Sequence, residues 1–291
     1  MGETVRAAAR GGDGQAAARL GCVSYLNAKP LIDGIDDADV SPAPLPVRYD
    51  VPSALLADLE SGAVDVALCP VIDYFRSAVP LVVVPAGCIG CDGPTLTVRL
   101  YSAAPIDRIT TLHADTDSHT SVALVQVVLW LMHKLRPTMV DYAAREHTAG
   151  GKVERYPEAM LLIGDKVVTD SPPAVRYPHQ LDLGEAWKEL TGLPFVFAVW
   201  MAREGAALGD LTLQLSAARE RNAGRVGAIV DKYAARHGWP RDLAHKYLGE
   251  LLRYGVGPRQ LEAIGRFGAE AAALGLAPGG ATGPRPLRVY G

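Results

Sequence analysis

Short apolar runs that end in polar turns recur along this chain and set its rhythm. Leu20 to Tyr25 (LGCVSY) is the first, and a run buried on both faces is the pattern of a parallel strand. A helix follows near Pro30, and Pro46 to Tyr49 reads as extended. Val51 to Ser61 reads as a helix with Pro52 suited to its first turn, and Val64 to Cys69 (VDVALC) as the next strand. Leu81 to Val84 continues this βαβ order. Thr95, Thr97, Arg99 and Tyr101 alternate with Leu96, Val98 and Leu100, which predicts one long strand leaving the first sheet. A second set starts near Pro105, with a strand at Arg108 to Leu112 and a helix from Ser118 to His133. A strand at Met160 to Gly164 and a helix at Leu183 to Leu190 complete it. Phe195 to Trp200 (FVFAVW) then returns as a strand toward the first set. From Leu208 the pattern is helical, with Leu243, Tyr247 and Leu251 at helical spacing, Pro258 at a start, and Gly255 and Gly275 at stops. The last fifteen residues, rich in Pro and Gly, read as frayed.

This order predicts an α/β protein of two lobes, one inserted in the other. Residues 1–19 form a flexible tail, residues 20–103 and 201–291 a discontinuous first domain, and residues 104–200 an inserted α/β lobe. At 291 residues the length suits two domains of about 150. Ligands of open α/β sheets collect beyond the carboxyl ends of strands, so two such edges facing one another predict a clamshell for a small molecule. Apolar residues make up 49% and charged residues 21%, a balance that builds large cores and excludes a disordered chain. The net charge of −3 supplies no global field for nucleic acid or for an anionic membrane. The longest apolar run, Val122 to Met132, is broken by Gln126 and falls short of the ~20 residues that span a bilayer. The first 19 residues hold no apolar stretch of the kind an export signal needs, and the four cysteines then read as reduced thiols in a cytoplasmic protein.

Candidate chemistry gathers at strand ends. Asp117 to Ser121 (DSHTS) puts the hydroxyls of Ser118, Thr120 and Ser121 and free backbone N–H groups at the mouth of an apolar helix, where the dipole favours an anion. One N-cap needs only one of these residues, so their clustering points to carboxylate capture. At a helix start the cationic form of His119 is disfavoured, which suits a neutral hydrogen-bond donor. Ser24, Tyr25 and Asn27 end the first strand, and from the residues alone Asn27 reads as a helix cap. Asp73 and Tyr74 follow a strand and Pro70, and Gly164 and Asp165 end a strand of the second lobe. Cys88 to Cys91 (CIGC) lacks the second pair of ligands that a zinc site needs, so no metal is expected. Gly90 to Gly93 reads instead as a compact loop whose N–H groups grip an anion. GxGxxG, Walker, HExxH and GxSxG patterns are all missing.

Five segments in order give a more specific reading: Val23 to Leu31 (VSYLNAKPL), Asp92-Gly93-Pro94, DSHTS, Leu162 to Asp165 (LIGD) and Thr191 to Trp200 (TGLPFVFAVW). Together they resemble the chorismate dehydratases of the futalosine route to menaquinone, over residues 20 to 255. The resemblance implies a fold like the type II periplasmic binding proteins, used as a cytoplasmic lyase without cofactor. It implies loss of water from chorismate to give 3-[(1-carboxyvinyl)oxy]benzoate. It places Asn27 in the active site, where an amide that both donates and accepts holds the departing hydroxyl or a carboxylate. Ser24, Tyr25, Asp73, Tyr74, Cys91, Gly93, Ser118, Thr120, Ser121 and Asp165 are then expected to bind substrate. Cys91 departs from the small polar residue usual in that family. The base stays open among Asp92, His119 and the substrate's own enolpyruvyl carboxylate. The rival readings are the sister enzyme that makes 1,4-dihydroxy-6-naphthoate and a solute-binding protein without turnover. The oligomeric state is not read from the sequence.

Overall fold

The computed structural model describes residues 19–41, 43–143, 156–279 and 283–291. The amino-terminal tail, Arg19 apart, lies outside them. Eleven strands among the described residues form two sheets. The first contains β1 (Leu20–Cys22), β2 (Val47–Tyr49), β3 (Val66–Pro70), β4 (Leu81–Cys91), β10 (Phe195–Arg203) and β11 (Leu252–Arg253), in the order β11-β4-β10-β3-β1-β2. The second contains β5 (Val98–Ser102), β6 (Thr111–Asp115), β7 (Thr138–Tyr142), β8 (Ala159–Ile163) and β9 (His179–Asp182), in the order β7-β6-β8-β5-β9. Both sheets are mixed. β1 runs parallel to β2 and β3, and β10 lies antiparallel between β3 and β4. In the second sheet β6 runs parallel to β7 and β8, and β5 lies antiparallel between β8 and β9.

Local chemistry accounts for the helices that flank the sheets. Pro52 opens Pro52–Ser61, and Gly62 closes it in the left-handed conformation at φ 80°. Ser118 caps His119–His133 by accepting from the Ser121 N–H, and the apolar stretch Ala123 to Leu129, Gln126 apart, is buried. Asp182 caps Leu183–Thr191 through the N–H groups of Gly184 and Glu185. No helix among the described residues is long and apolar enough to cross a membrane.

Several expectations require correction. The long strand read from Leu96 to Tyr101 does not form, because the chain turns at Leu96, whose φ is 68°. β5 therefore starts at Val98, already in the second sheet, and β10 belongs to the first sheet from Phe195 onward. The chain thus changes sheets at residues 92–97 and again after the Leu183–Thr191 helix. The strand read at Arg108 to Leu112 begins at Thr111, since Ile106–Arg108 is a 3-10 turn. Of the loop read at Gly90 to Gly93, Gly90 and Cys91 belong to β4, paired on one side with β10 and on the other with β11.

The carboxyl-terminal residues are docked, not frayed. The Val83 N–H donates to the Arg288 carbonyl and the Tyr290 N–H to the Val83 carbonyl, each at 2.8 Å. Arg285 reaches the carbonyls of Ser77 and Val79. The tail and β11 together cover the edge of β4 that β10 leaves open, an edge that would otherwise invite strand pairing with another molecule.

Candidate functional site

The six residues at the first change of sheet carry a dense set of constraints. Both oxygens of Asp182 accept there, from the Thr95 N–H at 3.0 Å and from the Leu96 N–H at 2.8 Å, while the same carboxylate caps its own helix. The Thr97 N–H donates back to the Thr95 carbonyl at 2.8 Å, closing a three-residue turn around Leu96. A positive φ at a branched apolar residue is strained and persists where the surroundings over-determine it. Here the product is that Thr95 and Thr97 both face a cavity between the sheets. Gly184 allows the close packing, for a Cβ there would lie 2.6 Å from both Cys91 Sγ and the Gly93 carbonyl oxygen. Trp187, Phe195, Phe197 and Phe267 pack edge-to-face around the second crossing.

The cavity is open to solvent, and the space counted out to its mouth is about 780 Å³. Val23, Leu68, Ile89, Phe197 and Leu252 give it apolar walls. The start of the His119–His133 helix lies at the wall, with Ser118 and Ser121 lining it and their hydroxyls 3.0 Å apart. Also on the wall, Asn27 donates from Nδ2 to Tyr247 Oη at 3.4 Å, and that phenol lies 2.8 Å from Thr97 Oγ1. Asn27 Oδ1 is buried and has no partner among the described residues. The charged groups on the wall are Asp117, Asp165 and Lys166, and each is engaged. Lys166, almost wholly buried, is paired with Asp115 and with Asp117, the latter at 2.7 Å. Burial pushes the Asp115 carboxyl up, with Lys166 pulling the other way. Asp165 accepts from Trp239 Nε1 at 2.7 Å and lies 3.4 Å from His237 Nδ1. Anions entering this cavity would meet neutral donors and a helix start more than free cations.

A family model for menaquinone biosynthesis matches residues 18–273. The chain belongs to that family. A chorismate dehydratase from Thermus thermophilus is 30% identical over 279 residues, covering 88% of this chain and 95% of the relative. Among solved structures, a protein from Archaeoglobus fulgidus superposes with a TM-score of 0.71 at 15% identity, covering 91% of this chain and 100% of that one. The alkanesulfonate-binding protein of Xanthomonas axonopodis pv. citri, bound to MOPS, gives 0.61 at 16% identity, covering 92% and 96%. These likenesses show the fold, that of the type II periplasmic binding proteins, on which the sequence reading had settled.

In this member of the menaquinone biosynthesis family the candidate residues divide. Tyr25, Asn27, Ser118, Ser121 and Asp165 stand together on the cavity wall. Ser24 is exposed beside them. Thr120 is fully buried and accepts from the Ile72 N–H at 3.3 Å, tying the His119–His133 helix to the short Val71–Arg76 helix. Asp73 Oδ1 lies 3.0 Å from His119 Nδ1, so these two candidates meet each other off the wall. That bond raises the pKa of His119 and favours the cation, against the neutral donor expected from the helix start; a carboxylate at 3 Å outweighs a helix dipole. Tyr74 is buried, donates to the Pro286 carbonyl and accepts from the Arg288 N–H, serving the carboxyl-terminal tail. Asp92 pairs with Lys188. Cys91 is buried in β4, its thiol pushed up to about 12 by burial, and Gly93 follows at φ 129°. No cluster suited to a metal ion occurs among the described residues.

Thr95, Thr97, Lys166 and Tyr247 are wall residues that the sequence reading did not single out. Lys166 directly follows LIGD, a local signal. Tyr247 had none except its helical spacing. It opens a five-residue π-helical turn, Tyr247–Leu251, and such turns are rare and frequent at functional sites.

Proposed function

We propose that this protein is a chorismate dehydratase, removing water from chorismate to form 3-[(1-carboxyvinyl)oxy]benzoate. The observation that carries the reading is the cavity itself, whose wall holds both the hydroxyls of a helix start, Ser118 and Ser121, and the partly satisfied Asn27 amide. The family match and the relative from Thermus thermophilus support it. In the reaction a ring C–H proton passes to a base, the neighbouring C–O bond breaks, and the hydroxyl takes that proton from the base and departs as water while the ring becomes aromatic. Aromatisation supplies the drive, so the protein has to hold a dianion in one orientation and exclude solvent. Ser118 and Ser121 take one carboxylate, with Thr95 and Thr97 offering hydroxyls across the cavity. Asn27 holds the departing hydroxyl. Asp92 is paired with Lys188 and His119 with Asp73, both off the wall. Their engagement favours the third candidate base, the substrate's own enolpyruvyl carboxylate, whose effective concentration is high once the substrate is oriented.

The direct test is incubation of the purified protein with chorismate, following an aromatic product lighter by one water. Saturable binding without that product would replace the reading with a solute-binding role. Two variants sharpen the test. Ser118→Ala with Ser121→Ala should raise KM roughly ten- to hundredfold, since a hydrogen bond to charge contributes about 1.5–3 kcal/mol. Asn27→Asp, which puts a negative charge beside a dianion, should keep the melting temperature and lower kcat on the order of a hundredfold.

A further inference from the structure

We infer that Tyr247 is a positioning residue for Asn27: its hydroxyl holds the Nδ2 end of the Asn27 amide and leaves Oδ1 as the acceptor presented to the ligand, with the Thr97 hydroxyl beside it as a donor. The inference deepens the dehydratase reading and rests on it for the identity of the ligand. Tyr247 belongs to the carboxyl-terminal helices and lies 220 residues from Asn27 in sequence. Its side chain is buried, and burial raises its pKa, so it stays a neutral phenol throughout the working range. A phenol oxygen that accepts from Asn27 Nδ2 has its own proton to give, and Thr97 Oγ1 at 2.8 Å is the group placed to receive it. The Thr97 hydroxyl proton is then free for another acceptor. The outcome is an ordered relay, Asn27 N–H to Tyr247 O–H to Thr97, that fixes which end of an amide and which proton of a hydroxyl remain available.

Two further observations support this assignment. Asn27 Oδ1 is buried without a partner among the described residues, in a residue on the cavity wall, a costly arrangement that a ligand hydroxyl would relieve. The phenol ring is itself clamped: Trp239 stacks on it with ring centroids 4.8 Å apart and planes 15° from parallel, and Trp239 Nε1 donates to Asp165 across the cleft. The hydroxyl is therefore held in place by contacts independent of Asn27.

The chain contains two asparagines, Asn27 and Asn222, so protein labelled with ¹⁵N-asparagine shows two side-chain amide groups, and Asn222, bonded to the Asp33 carbonyl, is an internal control. Tyr247→Phe keeps the ring and its stack on Trp239. It should shift the Asn27 side-chain signal and speed its exchange with water, leave the Asn222 signal in place, and lower kcat on chorismate roughly ten- to hundredfold with KM within about threefold. An unmoved Asn27 signal overturns the inference whatever the turnover, and so does a moved signal with unchanged kcat. If the parent protein does not turn over chorismate, the substrate reading fails by itself, and the labelled amide still decides whether Tyr247 holds Asn27. Should Tyr247→Phe not fold, Thr97→Val removes the partner on the other side of the phenol and should move both readouts in the same direction.

Discussion

His119 and Asp73 show how a single contact reverses an expectation drawn from neighbours in sequence. A histidine at a helix start is pushed toward neutrality, but Asp73 Oδ1 at 3.0 Å raises its pKa above the ordinary 6.5. Because the folded value is the raised one, the stabilisation from this pair is complete below the ordinary histidine value and is lost as the pH climbs through the raised one. The imidazole resonance of His119 should therefore titrate above 6.5, and Asp73→Asn should bring its midpoint down. The cysteines make a second residue-scale case. Burial pushes Cys22, Cys88 and Cys91 up to about 12 and Cys69 well above its ordinary value. Iodoacetamide at neutral pH should leave all four unmodified in the native protein and label all four in denaturant, as read by mass spectrometry.

At the scale of elements, the crossing at residues 92–97 depends on Asp182, and both can be perturbed. Asp182→Ala removes a helix cap worth about 0.5–2 kcal/mol, and it also strips the Thr95 and Leu96 N–H groups of their acceptors. Gly184→Ala would overpack Cys91 and Gly93 and should cost about 1–3 kcal/mol, measured from the urea midpoint. Elements whose causes are local were legible. The His119–His133 helix carries its own cap and apolar run, and β3 and β10 announce themselves as unbroken apolar stretches. Elements whose causes are distant were not. The alternation from Thr95 to Tyr101 suits a strand, but the acceptors that turn the chain at Leu96 come from Asp182, 86 residues further on. Gly90 to Gly93 reads as a loop because glycine is a poor strand former, yet Gly90 lies within β4 because Val196 and Arg253 sit on either side of it.

On the scale of the whole molecule, the lobes are joined by a contact that neither contains alone. Asp165 follows β8 of the second sheet, while His237 ends the 3-10 turn Ala234–His237 and Trp239 lies in the short link after it, beyond a helix, Leu211–Ala223, that packs on β4 and on Lys29–Ile32. Trp239→Phe keeps the stack on Tyr247 but loses the bond to Asp165, so amide exchange should accelerate over residues 237–251 while β3 and β10 keep their protection. The same long-range assembly explains why half of the site was legible and half was not. Asn27, Ser118, Ser121 and Asp165 lie in segments that resemble a family, whereas Tyr247 becomes a wall residue only when the chain closes on itself. The docked tail has a consequence for how the molecule is made. All strands of the five-stranded sheet lie between residues 98 and 182, so that sheet can assemble while the rest of the chain is still being synthesised. β4, an eleven-residue apolar strand made earlier, has to wait for residues 195–203, then 252–253, and last 288–290. During translation the first lobe is thus the late-maturing one, its eleven-residue strand open to misassociation until residues 288–290 emerge, and a ribosome that stopped short of Arg285 would release a chain with part of that edge still bare.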